Sequence, residues 1–184
     1  MPGPERRDEL TSEPLRAGVR RVICGLDAEG RSTIVSDADA ASAERAGGTI
    51  LTDLWRVESL PAHFEDDAFT GEIGAAPSLA GAVVRTCTFP PDSEIDMQAF
   101  DRAMREIYGP QERTGDDGTV PGMHWTDTVD VVVVLTGELH AVLETGETVL
   151  RPGDSLVQRG TRHAWSNRSD QPATVLSIMM GATR

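Results

Sequence analysis

Hydrophobic and polar residues alternate along this chain in short runs broken by turn formers, the period of half-buried strands rather than of helices. Val19–Cys24 and Ser32–Val35 flank the turn-forming Asp27-Ala28-Glu29-Gly30 and predict a β-hairpin. Thr49–Val57 and Gly81–Phe89 predict two further strands, the second stopped by Pro90-Pro91. The period then changes. Met97, Phe100, Met104 and Ile107 recur at helical spacing across Asp96–Tyr108, with Asp92, Ser93 or Asp96 as the cap and Gly109-Pro110 as the stop. One apolar and one charged face predict an amphipathic helix packed on a sheet, with a mobile cover over a pocket as the alternative. From His124 onward strands follow at short intervals, near His124–Leu135, Glu138–Glu144, Glu147–Leu150, Ser155–Gln158, His163–Asn167 and Ala173–Met179. Many short strands with regular turn signals predict a sandwich or barrel, and the lack of an internal repeat predicts one barrel rather than a tandem pair. Residues 1–15, charged and proline-bearing, are expected to be a disordered tail, residues 58–78 and 109–121 long loops, and residues 16–184 a single domain.

Composition changes this picture little. The chain has 184 residues, enough for one domain with a substantial core, and its 18 glycines and 11 prolines suit a turn-rich β protein. A formal charge of −13 argues against nucleic acid and anionic membranes as partners, because such a surface repels both. No stretch approaches the roughly 18 apolar residues of a membrane-spanning helix, and the first residues lack the apolar segment of a signal peptide, so a cytoplasmic protein is expected. Cys24 and Cys87 stand far apart in no metal-binding spacing and are expected to be buried thiols, a single disulfide being the alternative.

Candidate chemistry gathers in the last third of the chain. Alternate residues of a strand share one face, so His124, Thr126, Thr128 and Asp130 point the same way, and His163, Trp165 and Asn167 form a second such row. If both rows face a barrel interior, two imidazoles and a carboxylate meet inside a largely apolar container. Such a set suits either a divalent transition metal or a metal-free acid–base pair. Trp125 has the opposite parity and should point away from His124, whereas Trp165 should wall the pocket. Arg85 is a possible clamp for a substrate carboxylate, with a place on the solvent face as the alternative; Arg159 and Arg162 are weaker candidates. His140 and His63 are expected at the surface.

The spacing of these residues resembles the two motifs of the cupin superfamily, in particular its small single-domain conserved-barrel members. Across residues 122–137, His124 stands at the first motif histidine, Asp130 at the motif glutamate, and Gly137 at the closing glycine. Across residues 153–167, Gly160, His163 and Asn167 match the second motif position by position, while Gly153 opens it one residue closer than the pattern states. Thr126 replaces the second histidine of the first motif, and Gln158 takes the place of a proline. The resemblance implies a mainly all-β fold, a single cupin or jelly-roll barrel with an N-terminal β extension and one amphipathic helix. It implies that His124, Asp130 and His163 are the metal ligands or catalytic groups, with Zn, Fe, Mn or Ni as the ion when one is bound. Thr126, Trp165, Arg85, Gln158 and Asn167 are the expected substrate contacts.

The expected function is a cupin-type small-molecule enzyme of lyase or isomerase character. It would carry out decarboxylation, dehydration, isomerisation or cyclisation on a small organic acid or an aromatic or polyketide-like metabolite. Two alternatives stand beside it: a non-catalytic ligand-binding or sensing barrel, and a metal-dependent dioxygenase. The resemblance further implies a homodimer.

Overall fold

Eleven strands, one α-helix and a short 3-10 turn (Asp92–Glu94) are present among the described residues of the computed structural model, which are 18–45, 47–64, 73–108 and 120–184. The expected N-terminal tail, the segment 65–72 of one expected loop and the segment 109–119 of the other lie outside the described residues. The strands are β1 (Arg20–Leu26), β2 (Ser32–Asp39), β3 (Ser42–Glu44), β4 (Ile50–Val57), β5 (Ala82–Phe89), β6 (Thr128–Thr136), β7 (Leu139–Leu143), β8 (Gly146–Leu150), β9 (Ser155–Gln158), β10 (His163–Ser166) and β11 (Ala173–Gly181). The helix, α1, is Met97–Tyr108. A six-stranded sheet in the order β3-β4-β5-β11-β6-β9 faces a three-stranded sheet in the order β10-β7-β8, and β1-β2 stand apart as the expected hairpin. All pairings are antiparallel. This is the expected single jelly-roll barrel with an N-terminal β extension.

Alternation along β6 decides where the barrel is dry and where it is polar. Thr128, Asp130, Val132 and Val134 are the buried set, so the inward face runs from a hydroxyl and a carboxylate at one end to two valines at the other. On β11, Val175, Ser177 and Met179 point inward, and on β5 Arg85 and Cys87 do. The apolar end is closed by Val134, Leu139, Ala141, Leu150, Ala173 and Val175, with Leu51, Phe89, Leu156 and Trp165 packed against them. Burying this many aliphatic side chains supplies the main drive to fold. The polar end stays open as a cavity.

The first strand of the barrel region starts later than the alternation predicted, at Thr128 rather than His124. The reason is a change of partner. At His124 the chain pairs with His163 of the smaller sheet, and from Thr128 onward it pairs with β11. The short β3 had no sequence signal strong enough to predict it. Of the three cap candidates, Asp96 caps α1, its Oδ1 accepting from the amides of Gln98 (3.0 Å) and Ala99 (3.1 Å). Asp92 instead accepts from the Ser166 hydroxyl (2.6 Å) and the Asn167 amide (3.0 Å), tying the segment before α1 to the end of β10. Cys87 is buried as expected, but Cys24 is exposed on the hairpin, and both are free thiols. No described helix is long and apolar enough to cross a membrane.

Candidate functional site

Two backbones place the two histidines. The amide of His124 donates to the carbonyl of His163, and the amide of His163 donates to the carbonyl of His124, both at 2.9 Å. Directly opposed residues of an antiparallel pair carry their side chains on the same face, so the imidazoles lie side by side, with ring centroids 4.4 Å apart. Each ring is then turned by its own chain. Nδ1 of His124 lies 2.9 Å from the carbonyl of Gly122, and Nδ1 of His163 lies 3.0 Å from that of Thr161. A carbonyl only accepts, so both Nδ1 atoms carry the proton and both Nε2 atoms keep a lone pair. Burial holds the rings neutral. It drives His124 down to about 3, helped by the neighbouring His163 and opposed by its bond to Gly122, and it lowers His163 against its bond to Thr161.

More rings extend this pair. Tyr108, the last residue of α1, stacks on His124 at 4.4 Å and 25°, and Trp165 meets His163 edge-on at 5.6 Å and 77°. Phe89 stands 6.3 Å beyond Trp165. The result is an aromatic wall from the helix to the core. Tyr108, absent from the sequence-based candidates, was hidden because its helical period reads only as packing. Its hydroxyl is pushed up to about 12 by burial and stays protonated. The Cys87 thiol, also facing the cavity, is likewise pushed up to about 12 by burial and is a poor nucleophile.

Opposite the rings lies β6. Thr126 and Thr128 hydrogen-bond to each other through their hydroxyls at 2.6 Å. Asp130 is 5% exposed, and its Oδ1 has no hydrogen-bond partner among the described residues. Burial raises this carboxyl to about 6, against the Thr128 hydroxyl and the more distant Arg85 charge, which both lower it. The cavity so enclosed measures about 120 Å³. Its roof is the inner face of α1, held by Phe100. That ring sits in a notch formed by Gly47 (φ +85°) and Gly122 (φ +73°), where a β-carbon would lie only 2.7 and 2.5 Å from it. Both glycines adopt a left-handed backbone that other residues resist, and both leave the space the ring fills.

Several expected contacts are placed differently. Arg85 lines the cavity and is 2% exposed, which corrects the solvent-face alternative, and its guanidinium is held by protein partners. Its Nε donates to Asp53 Oδ1 (2.8 Å), Nη1 to the Ala75 carbonyl (3.1 Å) and Nη2 to the Gly74 carbonyl (2.9 Å). Asp53 lies directly across from it in the β4–β5 register. Gln158 pairs with Asp130 in register but turns its amide to the carbonyl and hydroxyl of Thr161, both at 2.6 Å, bracing the loop that carries His163. Asn167 is spent on the carbonyls of Phe89 (3.0 Å) and Gln171 (2.8 Å). Neither side chain lines the cavity, so both expected ligand contacts become loop braces. Thr126 and Trp165 do line it. Trp125 points away, under the Arg184 guanidinium at 4.0 Å. His140 is half-buried on β7 between Glu138 and Glu147, outside the cavity.

The chain's residues 114–179 match the family model of the cupin domain. Across these residues, about a third of its length, the chain carries a domain similar to that of the cupin superfamily. The chain is 54% identical over 48 residues to phomopsin biosynthesis cluster protein C' of Diaporthe leptostromiformis, a match covering 26% of this chain and 25% of that protein. The chain therefore spans about a quarter of that relative's length. It is 26% identical over 167 residues to the cupin-domain-containing oxidoreductase srdB of Neurospora crassa, covering 87% of this chain and 72% of that one. Among solved structures it is similar to an RmlC-like cupin of Shewanella frigidimarina, at 12% identity, a TM-score of 0.42, and coverage of 79% of this chain and 86% of the other.

Members of this superfamily often hold a metal ion on the two motifs. Here the described residues do not fit one. No three His, Cys, Asp or Glu side chains among them gather as a metal site requires. Thr126, at the missing histidine, directs its hydroxyl to Thr128 rather than to a common centre. The arrangement is a buried carboxyl lining the same cavity as two neutral imidazoles.

Proposed function

We propose that this protein is an isomerase- or lyase-type enzyme that moves a proton on a small planar metabolite, with Asp130 as the base. One observation carries the reading: Asp130 lines the cavity, and its buried Oδ1 has no hydrogen-bond partner among the described residues. A carboxyl brought near neutrality by burial is matched to proton transfer at physiological pH. Asp130 takes the proton of an enolic hydroxyl, delivers it to the neighbouring carbon, and returns to the carboxylate. His124 and His163 fix the ligand edge through their Nε2 lone pairs, and Tyr108 and Trp165 flank its plane. The membership of the Diaporthe relative in a biosynthesis cluster supports a metabolite substrate.

The test uses 2-acetylcyclohexanone, a neutral planar enol, diluted into buffer while its enol absorbance decays. The chain should accelerate ketonisation, and Asp130→Asn should slow that catalysed rate by about 10²-fold or more, in the range typical of a lost general base. His163→Ala should weaken binding more than it lowers turnover. Equal rates for the chain and Asp130→Asn would end the assignment.

The Neurospora relative's name supports a second reading, oxidation of the same metabolite class. Oxygen consumption that tracks bound iron by elemental analysis, with no enol chemistry, would favour it.

A further inference from the structure

The six-stranded sheet has a second face, turned away from the cavity. Along β6 the residues between the inward set, among them Val131 and Val133, point outward and are half-buried. The strand registers carry that parity across the sheet. Trp55 lies opposite Val84, Val84 opposite Ile178, Ile178 opposite Val131, and Val131 opposite Val157. These five side chains form an unbroken apolar line from β4 to β9. Thr86, Leu176 and Val133 line up in a second outward row, and Ile50, Thr88 and Thr174 in a third. The outer face of an antiparallel sheet in water is ordinarily polar, and an apolar area of this extent marks a contact surface. The hairpin β1–β2 repeats the feature. Cys24 pairs with Ile34 in register, and Val22 and Leu26 share the face of Cys24. All four are exposed. A hairpin of two strands is marginal on its own. Nη1 of Arg21 donates to the Leu54 carbonyl on β4 at 3.0 Å, which tethers the hairpin beside the sheet and leaves its apolar face open.

Charge and area select the occupant. The three outward rows carry no charged side chain, although the whole chain has a formal charge of −13. Two copies repel across an acidic surface, so an uncharged face is where they can meet. A basic partner would seek acidic groups, which this face lacks. Strands about 4.8 Å apart and outward rows about 7 Å apart, with the hairpin face added, give an area on the order of 700 Å². That is close to the roughly 800 Å² that each partner of a stable complex buries. A sheet face and a hairpin face on one chain also meet the demand of a two-fold contact, in which each copy gives what the other receives. The sequence resemblance implies a homodimer without saying which surfaces meet. We propose that two copies of this chain associate about a two-fold axis, the hairpin β1–β2 of each packing on the outer face of the other's six-stranded sheet. This contact is independent of the chemistry in the cavity, which lies on the inner side of the same sheet.

The test is sedimentation velocity of the full chain over a wide concentration range, with Cys24 as a second reporter. Cys24 is exposed on the hairpin and Cys87 is buried, so a maleimide reads the hairpin alone. The chain should sediment as a dimer in which Cys24 reacts slowly. Ile34→Asp on the hairpin and Val157→Glu on the sheet replace side chains that are 62% and 58% exposed, so each keeps the fold of the single chain, checked by circular dichroism. Each sets a charge into an apolar contact and should raise the dimer dissociation constant by about tenfold or more. Val157→Glu should also restore fast labelling of Cys24, although the two residues lie on different faces. Leu143→Glu, exposed on β7 of the smaller sheet, is the control and should change neither reading. A monomer at every concentration would overturn the proposal and leave both faces to another partner. So would a dimer that Ile34→Asp or Val157→Glu leaves intact, or one that Leu143→Glu weakens as much. A dimer that Val157→Glu breaks without speeding Cys24 would overturn it too, because the hairpin then lies outside the contact or covers its own sheet.

Discussion

The three residues at the centre of the cavity work against one another as titrating groups, and the balance is measurable. Folding holds His124 neutral down to about pH 3 and lowers His163 as well, so below the ordinary histidine value the unfolded chain binds protons that the folded chain refuses. Their contribution to stability therefore rises with pH up to about 6.5. Asp130 acts the other way: the folded carboxyl keeps its proton up to about 6 while the unfolded one loses it near 3.8, so its contribution falls with pH across that interval. Two imidazoles outweigh one carboxyl, and urea titrations should show a net gain in stability from pH 4 to 6.5. His124→Gln should flatten that gain, and Asp130→Asn should steepen it. At the same scale, Asp53→Ala strands the Arg85 charge in a site with 3% side-chain exposure. Breaking a buried pair from one side should cost about 3–5 kcal/mol in denaturant unfolding, while Asp53→Asn should cost less. His124, Asp130 and His163 were legible from strand parity and motif spacing alone. The Asp53–Arg85 pair was not, because a cross-strand partner depends on register, and the β4–β5 register shifts at a bulge between Asp53 and Trp55.

At the scale of the element, α1 was legible as a helix from its apolar period and its cap, but its position over the cavity was not. Periodicity gives a face and leaves open what that face covers. The notch of Gly47 and Gly122 that receives Phe100 settles it, and neither glycine has a distinctive sequence context. Gly122→Ala should both strain the backbone at φ +73° and displace the ring. The expected loss is about 1–3 kcal/mol of stability, read from the denaturation midpoint, together with loss of the Tyr108–His124 stacking seen in the histidine ring resonances. Phe100→Ala should loosen α1 in hydrogen exchange without that backbone strain.

For the whole molecule, the barrel divides its two tasks between its ends. Strand alternation and turn residues were enough to read the barrel, since the inner face of each strand announces itself by period. The sequence could not say which inward positions face a void and which face one another, because that depends on how two sheets close. Leu139, fully buried at the apolar end, lies away from the cavity. Leu139→Ala should cost about 2–5 kcal/mol while leaving the buried histidine resonances in place.

The reciprocal bond between His124 and His163 has a consequence for assembly. The same two hydrogen bonds that set the imidazoles side by side also join the segment leading into β6 to β10, and so stitch the larger sheet's feeder to the smaller sheet. The functional groups are thus part of the seam. A partly closed barrel would hold neither half of the site in place, so binding competence should appear in one step with closure during refolding. The amide protons of these two residues should exchange with solvent only as slowly as the barrel as a whole comes apart.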